Sequence, residues 1–443
     1  MAGHRERQIQ AVKPRLGSIR EAFTSRRQFW TTLRGATWQR NLAVLWIGEL
    51  IAISGFSVTL PFLPYYVQEL GITELDRVAF WAGLLTTAQS TTMALIAPVW
   101  GLLSDRYGRK IMVTRAMFGG AVIICLMGFV HNVYQLTVLR AIQGMLTGTV
   151  PAATTLIASS APANRRGYAL GMLQMAVYLG STVGPFLGGL IADQLGYRAT
   201  FWVTGVLLLV AGILTALLVK EEFTPPERGQ ARMWEGLLLV LRTRALMTLY
   251  GVRMVMGIAA QLVAPMFSLF VQSIAAPDAK VASLAGTIVG VASMTSAVST
   301  VLMGRASDRV GSRRILVVCS ATSVVFYALM AGTRTPAQLG LLRALAGVSA
   351  GGILAAVNVL QASLAPGGRY GAVYGVNTSL MAAANAVSPM VGAAMTANWG
   401  LPSVFLGAAA MYGLGTAVTA LVVPSGGMEE RTEQGYAADG DRG

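Results

Sequence analysis

Residues 101–110 read GLLSDRYGRK, and residues 304–313 read GRASDRVGSR. Gly101, Ser104, Asp105, Arg106 and Gly108 recur as Gly304, Ser307, Asp308, Arg309 and Gly311, and the correspondence spreads outward from there. Leu139, Arg140, Ala141, Gly144 and Gly148 recur as Leu342, Arg343, Ala344, Gly347 and Gly351. Further along, Gly167, Gly171, Pro185, Gly188, Gly196 and Phe201 recur as Gly371, Gly375, Pro389, Gly392, Gly400 and Phe405. The chain is therefore two similar units in series. Parallel repeats related by an axis along the membrane normal are one way of building a carrier with a site between the repeats.

The composition says what solvent those units face. Of 443 residues 54% are apolar and only 12% charged, about half the roughly 25% usual for soluble proteins. Mean hydropathy is +0.59, and 50 residues are glycine, which is more frequent in membrane helices than in soluble ones. Disorder is excluded and a soluble enzyme is disfavoured. A crossing helix needs about 20 largely apolar residues because its backbone must satisfy itself. Such runs lie at 42–67, 79–103, 111–130, 133–156, 167–192, 199–219, 246–272, 281–304, 314–332, 335–362, 370–395 and 401–423. The expected fold is an all-α integral membrane protein with twelve transmembrane helices in two pseudo-symmetric six-helix bundles. Its parts are a basic tail (1–41), a first bundle (42–219), a linker rich in charge and proline (220–245), a second bundle (246–423) and a tail (424–443).

The net charge of +15 raises the question of nucleic acid. Of the 34 basic residues, Arg77, Arg198, Lys280 and Arg334 fall on one side, Arg140, Arg253 and Arg343 within helices, and all the others on the opposite side. That asymmetry is the positive-inside signature, so both termini are expected in the cytoplasm, and no soluble basic domain is left to bind nucleic acid. Residues 1–40 lack an apolar core with a small-residue cleavage site, so no cleavable signal is expected. Residues 15–34 are loosely amphipathic and basic, fit either for the anionic leaflet or for solvent. Cys125 and Cys319 sit inside apolar runs and read as small buried residues.

Three stretches carry a family resemblance. The loop at 101–110 resembles the signature loop of the major facilitator superfamily. The run Gly180-Ser-Thr-Val-Gly184-Pro185-Phe-Leu-Gly188-Gly189 in the fifth span resembles the motif of that family's drug:proton antiporters, and Leu139-Arg140-Ala-Ile-Gln143-Gly144 resembles the branch's fourth-helix motif. With Pro61-Phe-Leu-Pro64-Tyr-Tyr-Val-Gln-Glu-Leu-Gly71 in the first span, the pattern is similar to the MdtG-like multidrug efflux proteins of the branch. The resemblance covers about residues 41–423. It implies export of amphipathic compounds against protons by alternating access, with small substrates, protons and the bilayer as partners, a monomer in the cell membrane, and no cofactor besides the proton gradient. In this reading Asp105, with Arg106, Gly108, Arg109 and Lys110, reaches the start of the eleventh helix near Gly371 when the cytoplasmic side closes. Asp308 and Arg309 do the same near Gly167, although Ser312 replaces the counterpart of Arg109. Gly184, Pro185 and Gly188 would help seal the path. The bland alternatives are helix-end charge compensation for the loop and tight packing for the glycines.

Charge inside a span is costly, about 2.5–3.5 kcal/mol on insertion scales, and so usually faces an interior. Glu49 is the single acid well within a span, which makes it the leading candidate to carry the proton, with Arg140 as its expected electrostatic partner and Gln143 one turn away. A substrate-cation anchor and a structural polar residue are the other roles open to it. Candidates for the cavity lining are Phe62, Tyr65, Tyr66, Met93, Gln143, Gln174, Met175, Tyr178, Gln261, Asn358, Gln361, Asn377, Met381 and Asn385, since aromatic and methionine side chains adapt to varied shapes. Core packing is the competing role for each.

Enzyme chemistry finds no support. Gly347-Val-Ser349-Ala-Gly351 fits a nucleophile-elbow pattern but lies in a helix, and His4 and His131 are the sole histidines, so neither a serine hydrolase nor a usual zinc site is expected. No phosphate-binding GxxxxGK[ST] loop is present. The energetics need no ATP: about 100 mV contributes roughly 2.3 kcal/mol per proton and one pH unit about 1.4, enough for a gradient of about 500-fold. Two alternatives remain open: a carrier of the same fold for a dedicated metabolite or lipid, by antiport or symport, and a non-transporting sensor.

Overall fold

The computed structural model describes residues 37–162, 165–221, 243–364 and 370–422. The basic tail before Thr37, with its amphipathic stretch, most of the linker and the tail after Val422 lie outside the described residues. The first crossing is α1 (Thr37–Thr59), a 3-10 turn (Leu60–Phe62) and α2 (Leu63–Glu69). Pro61 and Pro64 each remove a backbone donor, so the helix tightens there instead of running straight through the expected 42–67. Next come α3 (Leu75–Tyr107) and α4 (Arg109–Met127), then α5 (Val133–Leu146) and α6 (Thr149–Ser160), which together make the fourth crossing. Completing the first half are α7 (Arg166–Leu195) and α8 (Tyr197–Leu218). The second half has α9 (Arg244–Ile274), α10 (Val281–Val310), α11 (Ser312–Met330), α12 (Pro336–Ser363), α13 (Tyr370–Trp399) and α14 (Pro402–Val422).

Ten of these helical runs are long and apolar enough to span a bilayer. Two crossings fall short for local reasons. α3 carries the polar stretch Thr86-Thr87-Ala-Gln89-Ser90-Thr91-Thr92 in its middle, and the fourth crossing is divided. Both are packed among the others, α3 on α5 and α13, α4 on α5 and α6. The expectation of one uninterrupted helix over 133–156 is corrected: Thr147 is extended, Gly148 takes φ +121°, and a new helix opens at Thr149.

Packing repeats as the sequence does. α1 lies on α7 and α8 as α9 lies on α13 and α14; α3 lies on α5 as α10 lies on α12. Thr92 donates to the Ala141 carbonyl at 2.8 Å and Thr295 to that of Ala344 at 2.8 Å. Gly144 and Gly347 make these approaches possible: a Cβ on either would collide with the facing backbone, at Gln89 and Ala292. Gly108 and Gly311, at φ +98° and +94°, form the one-residue turns between α3 and α4 and between α10 and α11. That conformation favours glycine over any residue with a Cβ.

The halves meet along two seams, α7 against α10 and α3 against α13. At the end opposite the basic loops they are fastened by hydrogen bonds. Tyr65 donates to the Ser268 carbonyl and Ser268 to that of Pro61, both at 2.5 Å. Gln68 and Gln272 donate to each other at 2.9 and 3.1 Å, and Asp193 accepts from the Ser283 backbone N–H at 2.7 Å.

Candidate transport site

The break in the fourth crossing has a local cause. Pro151, in the first turn of α6, lacks an N–H, and its ring excludes a helical carbonyl at Thr147, four residues earlier. Gly148 just before it takes up the change of direction. The chain thereby delivers Thr147, Thr149 and the last turn of α5 to one side of a cavity of about 260 Å³ inside the first half. Arg140, Gln143, Gln89 and Met93 line it, together with Ile53, Phe56, Ile124, Met127 and Phe201. The wall is mainly apolar, with a few convergent polar groups, as small-molecule sites generally are.

Arg140 is 3% exposed; its Nη1 donates to Gln89 Oε1 at 2.6 Å and to Gln143 Oε1 at 3.1 Å, while its buried Nε has no hydrogen-bond partner. Glu49 is fully buried. Its Oε2 accepts from the Thr149 hydroxyl at 3.3 Å, and Oε1 has no hydrogen-bond partner. The two charges expected to pair form no ion pair in this structure. Among the described residues ion pairs join Arg77 to Glu74 and Arg198 to Glu69, all outside the buried core. Thr149 and Gln89 were not singled out from sequence; the signal for Thr149 is Pro151 two residues on.

The other expected lining residues scatter. Met93 and Gln143 line the cavity described above, and Gln261 lines a second one of about 150 Å³ between the halves, with Arg343, Phe267 and Thr86. Arg343 donates to the Tyr327 hydroxyl at 2.7 Å and lies over the Phe267 ring. Phe62, Tyr65 and Tyr66 are core residues, at most 2% exposed, and the Tyr66 hydroxyl donates to the Met127 carbonyl at 2.8 Å. They line none of these cavities. Gln361 donates to Asn377 at 3.0 Å. Gln174, Met175 and Asn358 are exposed, Tyr178, Met381 and Asn385 half-buried, and none lines either cavity.

Of the expected gating residues, Gly184 and Gly188, like Gly180 of the same motif, turn toward α1. A Cβ on Gly184 or Gly188 would collide with the Ser54 or Val58 carbonyl oxygen. Pro185 and Gly189 face the other half, at Gly286 and at Ala282–Ser283. The antiporter-like motif thus packs one crossing against its own half and against its neighbour at once. At the basic loops, the Arg109 and Lys110 N–H groups donate to Glu221 at 3.0 and 2.8 Å, so an acid at the end of the sixth crossing caps α4. Glu221 was not singled out as a site residue from sequence. Arg106 and Arg309 are exposed. The side chains of Asp105 and Asp308 lie outside the described residues.

This architecture agrees with what the chain resembles. A model of the Major Facilitator Superfamily matches residues 45–275 and 249–437, and the chain belongs to that family, whose members carry small molecules across membranes. It is 36% identical to the multidrug resistance protein MdtG of Serratia proteamaculans over 387 residues, 87% of this chain and 92% of that one. To the protein of the same name from Escherichia fergusonii it is 35% identical over 370 residues, 83% and 91% of the two chains. Among solved structures, a bacterial homologue of the human lysosomal transporter Spinster, inward-facing and unoccupied, matches with a TM-score of 0.73 at 14% identity, covering 88% of this chain and 98% of that one. The human organic anion transporter MFSD10 matches with a TM-score of 0.63 at 18% identity, covering 87% and 100%. At those identities the structures speak for the fold. The protein is a multi-pass membrane protein.

Proposed function

We propose that this protein exports small amphipathic compounds from the cytoplasm in exchange for protons, by alternating access. The naming of its relatives as multidrug resistance proteins supports export of varied compounds. The observation that carries the mechanism is a wholly buried carboxylate, Glu49, separated by one hydroxyl from a largely apolar cavity that holds a buried arginine. A buried acid binds or releases its proton according to the polarity around it. Alternating access changes that polarity, so Glu49 is the proton carrier and Arg140 holds the polar floor of the ligand cavity through Gln89 and Gln143.

Both termini are cytoplasmic, and the protein works as a monomer in the cytoplasmic membrane, without enzymatic activity and with the proton gradient as its energy source in place of a cofactor. With the basic loops inside, the seam at Tyr65–Ser268, Gln68–Gln272 and Asp193–Ser283 is the closed outer gate. Asp105 with its basic neighbours, and more weakly Asp308 with Arg309, close the inner side in the alternate state. Gly184, Pro185 and Gly188 let the fifth crossing pack closely enough to seal the outer one.

The test is dye export from proteoliposomes under an imposed pH gradient. Wild type responds to the gradient, Glu49→Gln does not, and Arg140→Ala exports poorly under either condition. Gradient-driven export by Glu49→Gln would remove Glu49 as carrier.

A further inference from the structure

Thr149 stands between two groups that must influence each other if compounds are exchanged for protons. Its hydroxyl donates to Glu49 Oε2, and the residue is part of the cavity lining with Arg140 and Gln143. Glu49 is absent from that lining and has no exposed surface, and Thr149 is the lining residue that hydrogen-bonds to it. The break fixes it there, because α6 opens at Thr149 after a turn set by Gly148 and Pro151.

The elements around Glu49 add little competing charge. α1 itself carries Arg40 near its start; α6 has none along its length; α7 has Arg166 and Tyr168 at one end, Asp193 at the other and Tyr178 midway; α8 has Tyr197 and Arg198 in its first turn. α4 carries Arg109, Lys110 and Arg115 near its start, with Arg115 stacked on Trp100, and Arg140 on α5 is engaged by two glutamines.

A hydroxyl has one proton and two lone pairs. Ionised, Glu49 can only accept, so the Thr149 proton is committed to it and an Oγ1 lone pair is left for the cavity. Protonated, Glu49 donates to Oγ1, and the hydroxyl proton turns the other way. We infer that Thr149 is a positioning residue through which the cavity reports the charge on Glu49, offering a ligand an acceptor when Glu49 is ionised and a donor when it is protonated. Exchange holds compound and proton in turn, so the wall favours compounds that present an O–H or N–H to it. Arg140, with no carboxylate against it, disfavours a cationic group, and the ionised Glu49 behind Thr149 disfavours an anionic one, which leaves neutral donors. The inference rests on Glu49 as the proton carrier.

The test is binding of β-naphthol and its methyl ether to the purified full chain over a pH series kept below the naphthol's own ionisation. β-Naphthol binds about three- to tenfold more tightly as pH rises, the weight of one hydrogen bond. The ether, which can only accept, weakens over the same range. Thr149→Ser keeps both trends and Thr149→Val flattens both while still binding; Thr149→Ala replaces the valine variant should that one not fold. Opposite trends surviving in Thr149→Val, both probes moving together in wild type, or no binding of β-naphthol by folded wild type each overturns the inference. Trends that persist in Glu49→Gln but vanish in Thr149→Val overturn Glu49 as carrier. Trends lost in Glu49→Gln but kept in Thr149→Val overturn the role of Thr149 alone.

Discussion

The fourth and tenth crossings start from the same plan and end differently. Both carry an arginine one turn before a glycine that seats the helix on its neighbour, Arg140 and Gly144 in one, Arg343 and Gly347 in the other. The fourth is broken at Thr147–Gly148, whereas α12 runs unbroken from Pro336 to Ser363. Leu354 stands where the first half has Pro151, so nothing in α12 rejects a helical carbonyl. Around the arginines, Gln89 and Gln143 are matched by Ala292 and Ala346, and Glu49 by the apolar-to-basic pair Val252 and Arg253. Arg343 accordingly turns to the aromatic surfaces of Phe267 and Tyr327. The repeat supplies a frame twice, and a handful of substitutions give one copy a largely apolar chamber with a polar floor and the other an arginine turned to aromatic rings.

That contrast can be broken deliberately. The largest effect is expected from Glu49→Gln, which abolishes the response of export to an imposed pH gradient while leaving the protein in the membrane, as read by proteoliposome flux. Leu354→Pro imposes a proline on the copy whose counterpart of Gly148, Gly351, is packed against Ser296 within a continuous helix, and costs about 3 kcal/mol or more of stability, measurable as a lower unfolding temperature. Pro151→Leu does the reverse: the purified variant resists heat at least as well as wild type, yet its export falls because Thr149 is drawn away from Glu49. Gly184→Val sets a side chain against the Ser54 carbonyl and costs about 1–3 kcal/mol, seen as reduced folded protein after extraction. The smallest change is Tyr65→Phe. It removes one interhalf hydrogen bond, worth about 1 kcal/mol, and shifts the population toward the outward-open state, read as faster labelling of a cysteine placed at Gln261 from the outer side.

Much of the fold is legible in the sequence because the bilayer permits few solutions: twelve apolar runs, two matching halves and a one-sided distribution of basic residues leave little choice. The break escaped because Pro151 lies inside an apolar run and hydropathy does not register a missing N–H. The bent end of the first crossing escaped for the same reason, and with it the placement of Phe62, Tyr65 and Tyr66, which Pro61 and Pro64 turn into the core and the interhalf seam. Glu49 and Arg140 stand out because charge within a span is rare. Their separation was not legible, since spacing along a chain fixes depth but leaves open which way a side chain points once a helix kinks or stops.

The reciprocal amide clasp of Gln68 and Gln272 has a meaning of its own. Identical residues at matching places in the two halves satisfy each other's donor and acceptor, as equivalent residues do across the two-fold axis of a homodimer. In a self-complementary contact of that kind, one residue choice yields two bonds. Because the partners are uncharged, its grip is indifferent to the salinity of the medium outside.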